Sequence, residues 1–162
     1  MKTDHIIAAL AGTYSLINST PWRNGTESPS PWGRNPVGLL TYTRYGYMSA
    51  NMAATEENVR PLNIRWPPKD TDADEDWVLV GRHAMSYAGV FSINQSVPAT
   101  KFGGQLVHGP MIAASVPAMV GSTSGRNYAV HEREDATYLL VSIPSDDPNF
   151  RSEIWWKRVV KG

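Results

Sequence analysis

The 162-residue chain balances 15 basic against 15 acidic side chains and contains no cysteine. That length suits one compact domain, read here as spanning 1–162, which buries roughly two thirds of its unfolded surface. Zero formal charge, with no like-charge run longer than the acidic stretch 72–76, gives a nucleic-acid or anionic-membrane partner no electrostatic support, and the missing thiols exclude disulfides, thiolate nucleophiles and thiolate metal sites.

At the N-terminus the apolar run from Ile6 to Ala11 is too short for a secretory core or a membrane span, so the expected location is the cytoplasm. The Asn-x-Ser/Thr triplets at Asn18, Asn24 and Asn94 are then accidental. Residues 3–10 read as a turn or two of helix capped by Thr3 or Asp4, leading directly into a strand over 12–17. The polar, Pro/Gly/Ser-rich stretch 18–34 reads as a long surface loop carrying Trp22 and Trp32. Those rings either fold over an open end of the sheet or pack on its outside, where they would also suit a homodimer contact.

The stretch 35–52, NPVGLLTYTRYGYMSANM, carries the strongest local signal. Two apolar runs flank Arg44-Tyr45-Gly46, and Gly46 can take the left-handed conformation that a type I turn followed by a bulge demands. With that loop, Tyr42 faces Met48, Leu40 faces Ala50 and Gly38 faces Met52, which places all six on one apolar face. A slip of one residue would instead put Tyr47, Ser49 and Asn51 beside Gly38, Leu40 and Tyr42.

Residues 53–69, broken by Pro61, Pro67 and Pro68, read as loop. The carboxylates of Asp72, Asp74, Glu75 and Asp76 precede Trp77, Val80, Gly81 and Ala84 at helical spacing, which marks a helix start favoured by the macrodipole, with Arg82 and His83 at its end. From Tyr87 the period becomes two, with Tyr87, Gly89, Phe91 and Ile93 on one side. Further strands follow at 104–109, 126–133, 136–143 and 152–160, separated by turn residues. Eight strands result if 95–100 extends the fourth or adds a short one. Many short strands of this kind argue for an antiparallel barrel or sandwich.

The hairpin pattern Asn-Pro-Val-Gly-Leu-Leu-x-Tyr-x-x-x-Gly-Tyr-Met-Ser at 35–49 resembles the signature of the lipocalin-like domain proteins, small β-barrels of bacteria and fungi, several encoded beside natural-product pathways. The resemblance implies a single antiparallel eight-stranded barrel with a short N-terminal helix and one helix between strands. It also aligns Gly12-Thr13-Tyr14 with the Gly-x-Trp of lipocalin-type first strands and implies that Arg158 packs over the Tyr14 ring. It further implies a histidine near position 108 and a segment crossing a barrel end at 109–125, where Met111, Ile112 and Met119 would form a flexible lid.

An eight-stranded barrel is either filled by side chains or holds one small ligand. Gly38, Ala50 and Gly89 on the inward face favour a cavity, walled by Tyr42, Met48, Met52 and Phe91, with Met111 and Trp156 completing the lining. The alternative is a solid core whose glycines only let the sheet bend. His108 shares its strand face with Leu106, and a neutral imidazole can give and take a proton, so His108 is the first candidate acid or base. His131 is the second, although it shares parity with Ala129 while Tyr128 and Val130 take the other face. Tyr87 and Tyr42 are candidate phenol donors. No ligand spacing for a metal, phosphate loop, nucleophile elbow or dinucleotide fingerprint is present, so no cofactor is expected. The expected function is therefore a cofactor-independent isomerase, cyclase or dehydratase acting on a polyketide- or terpenoid-like molecule inside the barrel. A non-catalytic carrier of a hydrophobic ligand is the alternative.

Overall fold

Strands with one apolar and one wet face must find cover for the apolar side, and an antiparallel sheet long enough to curl can cover itself. The computed structural model, which describes residues 2–160, takes this solution. In chain order it contains helix α1 (Thr3–Leu10), β1 (Gly12–Arg23), the short β2 (Thr26–Glu27), β3 (Val37–Tyr42) and β4 (Tyr47–Ala53). Helix α2 (Asp74–His83) then leads into β5 (Ala84–Ile93), β6 (Gly103–Ala114), a 3-10 turn at Pro117–Met119, β7 (Ser124–Glu132), β8 (Thr137–Ser142) and β9 (Phe150–Arg158). Neighbours run β1-β3-β4-β5-β6-β7-β8-β9, and β9 pairs back onto β1. The result is a closed eight-stranded antiparallel barrel with β2 as a small arm on β1.

The hairpin takes the first of the two registers, with Tyr42 opposite Met48, Leu40 opposite Ala50 and Gly38 opposite Met52. Gly46 sits at φ +79°, a region that costs a side-chain-bearing residue dearly. The same alternation turns Tyr87, Phe91 and Ile93 of β5 and Leu106 and His108 of β6 into the barrel, and an irregularity after His108 brings Met111 inward as well.

Two readings of the chain need correction. The stretch 18–34 is not loop throughout, because β1 runs on to Arg23 after a bulge between Leu16 and Asn18, pairing with β9 as far as Phe150. The segment after His108 is not a free lid. Pro110 to Ala114 continue β6 against β5, and Met111 is also tied to the following turn, donating from its N–H to Ser122 and accepting from Gly121.

Helix α1 plugs one end of the barrel with the buried side chains Ile6 and Leu10. Arg158 locks it there. Its Nη2 donates to the carbonyl of Ala9 at 2.7 Å, to that of Ala11 at 3.3 Å and to the Tyr14 hydroxyl at 2.6 Å. The guanidinium lies 5.1 Å over the Tyr14 ring, the contact expected from the family resemblance. At the other end, α2 and the loop before β3 meet, since Nδ1 of His83 lies 2.6 Å from the carbonyl of Pro31 and Trp32 packs against the core. The two tryptophans of the early loop region thus separate. Trp32 reaches the barrel end, whereas Trp22 sits on the outer wall beneath the Arg151 guanidinium at 5.0 Å. No helix among the described residues is long and apolar enough to cross a membrane.

Candidate functional site

Polar groups sealed inside an apolar barrel are the informative ones, because each must be satisfied or must serve something. His108 is such a group, only 1% exposed and opposite Phe91 of β5 and Ser124 of β7. The Tyr42 hydroxyl, equally buried, meets His108 Nε2 at 2.7 Å. The other ring nitrogen, Nδ1, is buried with no hydrogen-bond partner among the described residues. The Tyr87 ring is a further neighbour of the imidazole, with ring centroids 6.0 Å apart, and Phe91 packs on Tyr42 at 4.6 Å.

Arg126 completes the group. It sits opposite the fully buried Leu106, so its side chain starts inside the barrel. It then folds back to donate through Nη1 to the Ser124 hydroxyl and, at 2.7 Å, to the Gly125 carbonyl. Its charge is felt by three neighbours. Burial, reinforced by the Arg126 charge, lowers the His108 imidazole to about 3, so the ring is neutral at physiological pH. Burial raises the Tyr87 phenol, with Arg126 pulling the other way, and raises Tyr42 further still. Both phenols keep their protons.

Neutrality fixes where the imidazole proton sits. If Nε2 carried it, the Tyr42 O–H would be left without an acceptor and Nδ1 would be an unmet lone pair. If instead Tyr42 donates to Nε2, only the Nδ1–H remains unmet. Hydrogen-bond balance therefore assigns the proton to Nδ1.

The other expected site residues divide cleanly. Met48, Ala50, Met52, Phe91, Met111 and Trp156 all face inward and are buried, and the Trp156 indole Nε1, like His108 Nδ1, is buried without a partner among the described residues. His131 is not part of the site. It stands opposite Tyr138 on the outer wall, exposed, with its ring 5.2 Å from Trp155, because β7 turns Tyr128 rather than Ala129 inward. The glycines also mean something other than space. A Cβ on Gly38 would strike the Asn51 carbonyl, and one on Gly89 would lie 2.5 Å from the Pro110 carbonyl. They permit close strand approach where the sheet bends, and the deep end of the barrel is filled by Tyr14, Leu40, Leu106 and Leu139. Arg126 itself was missed, since a charged residue in an alternating strand reads as outward. The usable signal was its parity with Tyr128.

A family model described as lipocalin-like domain matches residues 11–159. This chain belongs to the lipocalin-like domain family. The match spans the whole barrel of the lipocalin-like domain, from the residue before β1 to the one after β9. Comparison with curated proteins and with solved structures gave no match. A lipocalin-like barrel is compatible with binding a small molecule.

Proposed function

We propose that this lipocalin-like barrel takes a small, largely apolar carbonyl compound at its α2 end and acts on it as a cofactor-independent isomerase, cyclase or dehydratase of polyketide- or terpenoid-like molecules. One observation carries the reading: a buried Nδ1–H of His108, without a partner among the described residues, on a ring 6.0 Å from that of Tyr87 and opposite Ser124, to which Arg126 donates. Donors fixed in a dry site stabilise negative charge that develops on a substrate oxygen, typically worth about 10²–10³ in rate per donor in known oxyanion sites. Such a site suits reactions in which a conjugated carbonyl takes up charge, such as ring closure by conjugate addition or loss of water next to a ketone. The apolar walls of Met52, Met111 and Phe91 would hold the reactive conformer.

The carrier reading draws support from the same geometry, since no carboxylate or basic imidazole is gathered at the site to remove a proton. An ortho-hydroxychalcone, which closes slowly to a flavanone in buffer through an oxyanion, separates the two. An enzyme of the proposed kind accelerates closure at least tenfold, and His108→Ala loses the acceleration while still quenching tryptophan fluorescence on binding. Binding without acceleration by the wild-type protein would leave a carrier.

A further inference from the structure

The interior of the barrel offers donors and almost nothing else. Besides Nδ1–H of His108 there is the Trp156 indole N–H, also buried and without an acceptor among the described residues. Arg126 donates twice from Nη1, to the Ser124 hydroxyl and the Gly125 carbonyl, and a side-chain hydrogen bond joins it to the Tyr87 phenol, but no carboxylate meets it among the described residues. The two ion pairs among the described residues, Arg151–Glu153 and Lys157–Asp135, each include an exposed side chain, and Arg126 belongs to neither. Arg158, the other inward guanidinium, is answered by two carbonyls and a phenol although its Nε is buried without a partner, and it is committed to holding α1, whereas Arg126, with one carbonyl, one hydroxyl and the Tyr87 phenol, stands beside His108 with its unpartnered Nδ1. A part-buried cation without a counter-ion is costly, and its neighbours cannot supply one, since both phenols are held in their neutral form by burial.

The geometry points to a carboxylate as the missing partner: the ligand carries an anionic oxygen pair seated between the Arg126 guanidinium and His108 Nδ1–H, with its apolar body along Met52, Met111 and Tyr87. This deepens the small-molecule reading and rests on it. A guanidinium meets a carboxylate through parallel N–H donors, and an imidazole N–H is a fitting third. An amide or alcohol would bring its own donor into a cluster of donors and leave at least one unmet, and an ammonium would face Arg126 directly.

Two probes of matched shape, naphthoate and naphthamide, test this by calorimetric titration. The wild-type protein should bind naphthoate at least tenfold more tightly than naphthamide, and its His108 Nδ1–H signal should move downfield in nitrogen-edited NMR when naphthoate enters. Arg126→Met, checked for folding by circular dichroism, should bind both probes alike, while Arg126→Lys retains part of the preference. Equal affinity of the wild type for both probes overturns the carboxylate inference and leaves the small-molecule site standing. Failure of both probes to bind overturns the inference and the small-molecule reading together. The comparison on the wild-type protein decides the matter even if Arg126→Met does not fold.

Discussion

Replacing Tyr42 by Phe removes one oxygen from the centre of the barrel and tests the assignment of the His108 proton. In the native chain the phenol O–H donates to Nε2 across 2.7 Å, and both side chains are about 1% exposed. No water can reach the nitrogen left behind, so the variant carries the desolvation cost of an unmet acceptor, about 1–3 kcal/mol, with little lost packing. For a domain of this size that corresponds to a fall in Tm of roughly 2–12 °C. The imidazole has a second response: with its acceptor role gone, the proton is no longer held on Nδ1, and the tautomer balance moves toward Nε2–H. Denaturant unfolding gives the first quantity and nitrogen NMR of the histidine side chain the second. Because removing both members of a buried pair costs less than removing one, Tyr42→Phe combined with His108→Leu should be less destabilising than the sum of the single changes by about 1 kcal/mol or more. Strict additivity, or a Tyr42→Phe protein as stable as the wild type with an unchanged tautomer, would refute the buried pair.

The depressed basicity of His108 makes stability depend on pH. Between the unfolded value near 6.5 and the folded value of about 3 the unfolded chain binds the extra proton, so stability from this group is present above 6.5 and lost as pH falls through that window. From pH 7 to pH 5 the loss is about 2 kcal/mol, and His108→Leu should abolish that portion in denaturant titrations at the two pH values. Gly89→Ala should destabilise by about 1–3 kcal/mol, because the new Cβ meets the Pro110 carbonyl at 2.5 Å and the Met111 Cα at 2.9 Å. A neutral or stabilising result in thermal melts would show that the position borders open space after all. Arg158→Ala removes three hydrogen bonds and the stacking on Tyr14, at a cost of about 2–4 kcal/mol, and hydrogen exchange should show α1 losing protection before the barrel does.

Local chemistry wrote much of the architecture into the sequence. Gly46 and the alternation around it set the hairpin register, the carboxylates before Trp77 marked the start of α2, and period-two runs located the strands. Those signals survive in the chain because each concerns neighbours a few residues apart. The second half of β1 left no such trace. Residues 18–23 are polar and without alternation, and they become strand only because β9, more than a hundred residues away, offers them a ladder. Likewise Pro110 reads as a breaker, yet the strand resumes past it through an irregularity that β5 accommodates.

The site divides along the same line. His108, Tyr42, Tyr87 and Phe91 were legible as inward residues from parity, given the barrel, whereas Met111 faces in only through the irregularity after His108. Parity could not choose between the Tyr128 and Ala129 faces of β7, and that choice removes His131 from the interior and brings Arg126 in. By itself, then, the sequence determined where most strands lie and which face is apolar wherever the alternation is clear, because hydrophobic periodicity acts over single turns and single pleats. Only the closed barrel decided that a part-buried cation, two phenols and an imidazole come together on its inner face. Burial there takes basicity from His108 and leaves Arg126 without a counter-ion, and the loss of solvent responsible belongs to the assembled wall, not to any stretch of chain.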